Sequence, residues 1–541
     1  MPKQSITIIE KLSNDPCIDI ALSTIKMGKQ AIIFVNTKRG AESLAEKISQ
    51  KLKKDNVSAN LAELSEKISH ALPSPTKQCQ RLAAIVREGI AFHHSGLVSE
   101  QRRIVEHSFR YGFVKIIVCT PSLALGVDLP AYRVIIRDLK RYGLWGMEYI
   151  PVLEYQQQIG RAGRPSFDSF GEAICVADSD VEKQEIYEKY VIGDPEAIIS
   201  KLAVEPIMRT YILSLIASEF VNSVNNLEDF FSKTFYAQQY GDISKLNAII
   251  QKMLAQLEDW GFVEVEGSDK HEDKDFVSAL KYTFKHVDRR LKATLLGHRV
   301  SELYLDPYTA NFLIEHLKKA ITANIKDDRF NPLSLMHLVC SCLELRPLLR
   351  VKNKELDDII EYINSNSGFL LTKIPELFDD DYDEFVNSLK TAKFFMEWLD
   401  EKDEQFLLER FDIRPGEISS KKDIADWLLY SAEELSKLMK MHVLIKDIAK
   451  LRFRLKYGAR EELIPLLQLK NIGRVRARIM FNNKIKDISD VKKIDLTTLT
   501  QLLGKNIALD VKKQVGQDLT PEKVETREGK RKGQKSMKDY D

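Results

Sequence analysis

Cysteine is scarce. Six occur in 541 residues and none forms a Cys-x-x-Cys pair, Cys340 and Cys342 coming closest. That excludes a disulfide-stapled scaffold and a zinc ribbon. No run approaches the roughly 20 apolar residues of a membrane span, and Met1 to Pro16 lacks the apolar stretch of a secretory signal. Charge of one sign is lacking too: 81 Lys and Arg stand against 79 Asp and Glu, a net +2. A uniformly basic coat is excluded, so any nucleic-acid site must be local. What is present, 44% hydrophobic and 30% charged residues, is the balance of a soluble cytoplasmic protein with ample core. The length suggests three to five domains of roughly 150 residues.

The first 195 residues alternate short β-like runs with helical periods. The runs are Ala31-Val35, Ile90-Phe92, Lys115-Cys119, Arg133-Ile136 and Ala173-Ala177, with helical stretches such as Gly40 to Lys51 and Ser99 to Arg110 between them. Buried β-runs alternating with helices argue an α/β domain built on a parallel sheet. Mostly α domains are expected after it. Residues 196–300 read as helices plus one β-like piece, Gly261 to Val265, which suggests a winged helix. Long amphipathic helices over 301–445 suggest a bundle, 446–515 reads as short helices with a basic bias, and 516–541 as a flexible tail.

Four segments of the α/β part carry chemistry. Phe34-Val35-Asn36-Thr37-Lys38-Arg39, Phe92-His93-His94-Ser95-Gly96-Leu97 and Cys119-Thr120 through Asp128-Leu129-Pro130 each follow a strand run. Ligands of open parallel sheets bind at strand carboxyl ends. Asn36, Thr37, Lys38, Thr120 and Ser122 are suited there to a nucleic-acid backbone. In Gln158-Ile159-Gly160-Arg161-Ala162-Gly163-Arg164-Pro165, two arginines three apart at a helix start share a face, and guanidinium forks suit a phosphoryl group in transfer. The alternative reading is two surface arginines in a Gly-rich loop.

These segments resemble motifs IV, IVa, V and VI of superfamily 2 helicases, in the Ski2-like version. Leu295 to Pro307 is similar to the winged-helix-to-ratchet junction of archaeal Ski2-like DNA repair helicases, the Hel family related to HelQ. The resemblance implies a second RecA-like domain (1–195), a winged helix (196–300), a helical ratchet bundle (301–445) and a helix-hairpin-helix domain (446–515). It makes Arg164 the arginine finger and Arg161 a second γ-phosphate contact or coupling residue. Gln158, Gly126 and Asp128 would lie near the nucleotide; the family often has Asn where Asp128 stands. Thr120 and Asn36 would touch the DNA backbone.

A motor of this class also needs a Gly-x-x-x-x-Gly-Lys-Ser/Thr loop and an acidic Mg²⁺ ligand. The Gly-Lys pairs here, Gly28-Lys29, Gly504-Lys505 and Gly529-Lys530, are followed by Gln30, Asn506 and Arg531, so none qualifies. Asp400-Glu401-Lys402-Asp403 has the letters of an acidic box but reads as a solvated helix end. The expectation is a chain lacking the first RecA-like domain, whether as a fragment, a truncated gene product or one half of a split enzyme. ATP and Mg²⁺ would be bound only together with that domain or a subunit supplying it.

Lys450 to Arg478 carries nine basic residues against two acidic ones, a net +7 over 29 residues. Within it, Leu466 to Arg478 reads helix, turn, helix. Asn471 stands where a first hairpin glycine is usual and tolerates a left-handed conformation, Gly473 frees the turn, and Arg474, Arg476 and Arg478 add charge for phosphates. Ser420-Lys421-Lys422-Asp423 resembles a capping box opening a helix from Ile424 to Lys440. Trp427 on that helix is either core or, as the resemblance to the ratchet helix implies, a base-stacking platform. His337, Cys340 and Cys342 read as core rather than as metal ligands, and no metal site is expected. Gln534, Met537 and Tyr540 resemble a sliding-clamp-binding peptide, the alternative being a frayed charged tail. The expected function is the C-terminal part of an ATP-dependent 3′-to-5′ DNA helicase acting on single-stranded and forked DNA in repair. The alternative is an ATPase-inactive DNA-binding protein.

Overall fold

The computed structural model describes residues 7–52, 58–72, 74–143, 146–163, 168, 170–202, 204–266, 288–324 and 331–517. The chain divides into two compact units. One is Met1–Met208 with Glu228–Ile249 and Asp403–Lys421; the other is Arg209–Leu227, Ile250–Lys402 and Lys422–Asp541.

The first unit is built on strands β1 (Ala31–Phe34), β2 (Ile90–His93), β3 (Ile116–Cys119) and β4 (Arg133–Ile136), an antiparallel pair β5 (Lys140–Gly143) and β6 (Gly146–Tyr149), and β7 (Glu172–Cys175). The sheet order is β2-β3-β1-β4-β7, all parallel, with Phe34 level with Cys119 and Ile136. Strands β1 to β4 are buried along their whole length, which is why they read as unbroken apolar runs rather than as alternation. Helices Pro16–Lys26, Lys38–Lys51, Lys77–Val86 and Ser99–Arg110 cover the sheet. Their starts are written in the sequence. Asp15 accepts from the Cys17 N–H with Pro16 next in line, Thr37 accepts from Gly40, and Thr76 from Cys79. Ile32, Ile33, Phe34, Leu44, Phe92 and Phe109 fill the core.

The second unit is mostly helical. It holds one antiparallel strand pair, β8 (Val263–Val265) and β9 (Leu291–Ala293), and its longer helices include Tyr382–Leu399 and His442–Tyr457. Asp306 receives both Nε and Nη2 of Arg209 at 2.6 and 2.8 Å, a bidentate pair almost sealed from solvent. His337, Cys340 and Cys342 are core, as expected. His337 Nε2 lies 3.1 Å from Ser388 Oγ, and burial pushes its pKa down to about 4. Residues 459–515 pack a separate small core around Leu463, Leu466, Met480, Val491, Leu499 and Val511.

One helix boundary corrects the sequence reading. The helix expected from Ile424 starts at Pro415 and runs to Leu438, so Ser420 to Asp423 lies inside it and caps nothing. The start signal is Pro415 in the first turn plus Glu417, whose carboxylate accepts the Arg414 N–H at 2.9 Å.

Candidate nucleic-acid interface

In the first unit, Asn36, His94, Thr120 and Arg137 follow the ends of adjacent parallel strands and so share one edge of the sheet. The Asn36 N–H donates to Asp138 Oδ2 at 3.1 Å and its Nδ2 to the Lys140 carbonyl at 2.5 Å. Thr120 Oγ1 and Ser122 Oγ are 3.0 Å apart, and the Thr120 N–H binds the His93 carbonyl. The other two residues expected to hold a backbone have partners inside the unit. The Thr37 hydroxyl caps the helix Lys38–Lys51, and Lys38 is ion-paired with Glu417. Beside Asn36 stands the β5–β6 hairpin, which the sequence reading missed. Tyr142 on it is 85% exposed and Met147 56%, an unusual outlay of apolar surface on a strand pair. The signal was Tyr142-Gly143 and Gly146-Met147 bracketing a short turn. Leu144 and Trp145 lie outside the described residues.

The arginine segment also needs correcting. Arg161 does not stand at a helix start; it follows the helix Val152–Ile159, whose last turn Gly160 closes. The left-handed Gly163 then turns the chain so that residues 161–163 run parallel to Ala131, ahead of β4. Asn36 and Thr120 therefore lie at one end of the strands and the Arg161 backbone at the other. Arg161 Nη2 donates to the Ala124 carbonyl at 2.5 Å, and Nη1 lies 4.0 Å from the exposed Asp128 carboxylate. Gly126 takes a positive φ of 76° in the same loop. The structure thus brings Arg161, Gly126 and Asp128 together. Gln158 is buried next to them in sequence, and its Oε1 has no hydrogen-bond partner among the described residues. Arg164, the expected finger, lies outside the described residues.

In the second unit the basic segment folds as helix, turn, helix. Helix Ile464–Leu467 gives way to a turn with Asn471 at φ 65°, and Gly473, in extended conformation, caps the helix Arg474–Asn482. The arginines do unequal jobs. Arg474 lies over the Trp398 ring, 4.3 Å from its centroid, and donates to the Lys402 carbonyl. Arg478 is held by Glu401 at 2.7 Å and by Glu462 at 2.7 Å. Arg476 is exposed and, among the described residues, bonded to the Asn471 carbonyl. Of the rest of the basic run, Lys450 is answered by Glu461, Arg452 by Asp426 and Glu433, and Arg460 by Asp400. Trp427 is neither fully core nor fully exposed. Its Nε1 donates to the Leu303 carbonyl at 3.0 Å, while the ring stays half-buried.

The family model for the helicase conserved C-terminal domain matches residues 72–166, and that for archaeal helicase domain 4 matches 333–458. The chain is 36% identical over 532 residues to the ATP-dependent DNA helicase Hel308 of Methanococcus vannielii, covering 93% of this chain and 68% of that one. It is 34% identical to the Hel308 of Methanocella arvoryzae, over 97% of this chain and 68% of the relative. Against the Hel308 of Pyrococcus horikoshii identity is 35%, over 93% and 66%. This chain belongs to the Hel308 family. The match to the helicase conserved C-terminal domain contains Thr120, Gly126, Asp128, Gln158, Arg161 and Arg164, and the match to archaeal helicase domain 4 contains Trp427. Among the described residues no helix is long and apolar enough to cross a membrane. The residues proposed for a clamp, Gln534, Met537 and Tyr540, lie outside the described residues.

Proposed function

We propose that this chain is the DNA-handling portion of an ATP-dependent 3′-to-5′ DNA helicase that works on branched or stalled-fork DNA. What supports the reading is one arrangement: Asn36 and Thr120 at adjacent strand ends of a parallel sheet whose arginine segment is anchored on the Ala124–Asp128 loop. Asn36 and Thr120 offer short polar groups to a passing backbone. The apolar hairpin beside them, with Tyr142 outward, offers a face on which a base pair can part. Trp427, fixed by its Nε1 bond to Leu303, presents its ring to an unpaired base. Gly473 and Arg476 meet the strand's phosphates at the hairpin.

ATP with Mg²⁺ supplies the phosphoryl transfer that drives such a cycle. The fit to this chain is one-sided. Arg161, held by Ala124 and close to Asp128, suits the outer face of a terminal phosphate, with Gln158 and Gly126 nearby and Arg164 two residues past Ala162. The sequence contains no Gly-Lys-Ser/Thr loop to cradle the triphosphate, so we assign that task to another RecA-like lobe. The same observation favours a second reading, a DNA-binding protein that turns over no ATP by itself.

Two measurements on the purified chain test this. The chain should bind oligo(dT) with an affinity that falls steeply with salt, and should hydrolyse ATP no faster than background with or without that DNA. Absence of DNA binding would sink the proposal. DNA-stimulated hydrolysis would show that these residues complete a nucleotide site themselves.

A further inference from the structure

Residues 403–421 lie more than 200 positions beyond the sheet in sequence, yet they belong to its unit. Their attachment is dense. Lys77 pairs with Glu409 at 2.8 Å, Arg39 with Asp412 at 2.8 Å, and Lys38 with Glu417. Arg414, largely buried, places Nε 3.2 Å from Glu42 Oε1. Glu42 also receives Arg81 at 2.7 Å and faces His94 Nε2 at 3.2 Å. Burial opposes a charge on Glu42. The adjacent His94 and the charges of Arg414 and Arg81 overcome it and bring the carboxyl down to about 2. Burial lowers the His94 pKa, and its Nδ1 accepts the Gly96 N–H at 3.1 Å.

The closest approach is backbone on backbone. The Gly416 N–H donates to the Gly96 carbonyl at 3.0 Å. A Cβ on Gly416 would collide with the carbonyl oxygens of Ser95 and Leu97, and one on Gly96 would collide with the Arg414 side chain. Neither glycine needs a positive φ; both are required by proximity. The Arg414–Glu417 turn therefore clamps the His94–Leu97 loop, which sits on the edge that the proposed function assigns to DNA.

We propose that Arg414 and Gly416 are positioning residues: they hold the His94–Leu97 loop in the shape that accepts a single-stranded DNA backbone, without touching the DNA. The inference rests on the DNA-binding edge proposed above. It also reassigns Lys38, whose ion pair with Glu417 makes it part of the clamp.

The test is oligo(dT) affinity over a salt series for the whole chain and for Gly416→Ala, Arg414→Ala and Arg414→Lys, with hydrogen exchange followed at Gly96 and Leu97. Alanine is the better helix former, so weakening by Gly416→Ala can arise only from the collision. Both alanine variants should bind roughly fivefold more weakly, with the salt slope of the wild type and faster exchange at the loop. Arg414→Lys, which keeps a cation beside Glu42, should recover part of the loss and remains informative if Arg414→Ala fails to fold. Unchanged affinity alongside a loosened loop overturns the inference. So does a slope reduced by about 0.7 in Arg414→Ala, the mark of a lost phosphate contact. If the wild type itself does not bind oligo(dT), the functional proposal fails instead.

Discussion

The sheet of the first unit and the basic run of the second are opposite cases. Ile32, Ile33, Ile117 and Ile135 are buried because of what they are, and their runs mark the strands without knowledge of any partner. The net +7 of Lys450 to Arg478 does not survive folding in the same way. Asp400, Glu401, Asp426 and Glu433, all outside that run, take up much of it. Apolar burial is a property of a residue, whereas a local field is a property of pairs, and pairs are set by the tertiary fold.

The contrast can be pressed at several points. A sealed ion pair should behave like core, so Arg209→Ala should cost the second unit about 3–5 kcal/mol in denaturant unfolding by stranding Asp306; a loss below about 1 kcal/mol would place that pair with the surface ones. Ile33→Ala in β1 should cost about 2–5 kcal/mol, read by the same method on the first unit. His337 gives the acid limb. Its pKa is lowered from 6.5 to about 4, so the unfolded chain takes its proton first as pH drops. The contribution is whole above pH 6.5 and wanes to about pH 4, by roughly 3 kcal/mol. His337→Leu should flatten the stability profile over that window, and an unchanged slope would show that the ring is not kept neutral by burial. Smallest in stability are the changes in the basic run. Glu401→Gln should cost no more than about 1 kcal/mol, yet tighten oligo(dT) binding by leaving Arg478 to Glu462 alone. Arg476→Ala should leave melting unaltered and lower the salt slope by about 0.7. If Glu401→Gln leaves affinity and slope alone, the pairing does not limit the grip.

Much of the α/β fold was legible. The five strand runs match the strands to within two residues because both faces of each inner strand demand apolar side chains. The hairpin turn was legible because Asn471, standing where a glycine is usual, is among the few non-glycine residues that tolerate the left-handed conformation the turn takes. Boundaries failed where two local signals competed. Ser420 to Asp423 has capping letters, but Pro415 and Glu417 hold the stronger ones five residues earlier. Arg161 was placed at a helix start, but the glycine just before it closes a helix, the commoner job of a glycine at a helix terminus. The β5–β6 hairpin escaped because its outward face is apolar, contrary to the usual pattern. The clamp was out of reach altogether. Lys38 and Glu417 are 379 residues apart, and nothing in either neighbourhood names the other.

That distance bears on how the protein can be taken apart. Trimming the chain after residue 208 would discard the carboxylates of Glu409, Asp412 and Glu417 and leave Lys77, Arg39 and Lys38 bare. The excised lobe would be a stickier polyanion binder than the lobe in its native setting, and its affinity would flatter it. A faithful dissection grafts the 403–421 peptide back, by fusion or by circular permutation.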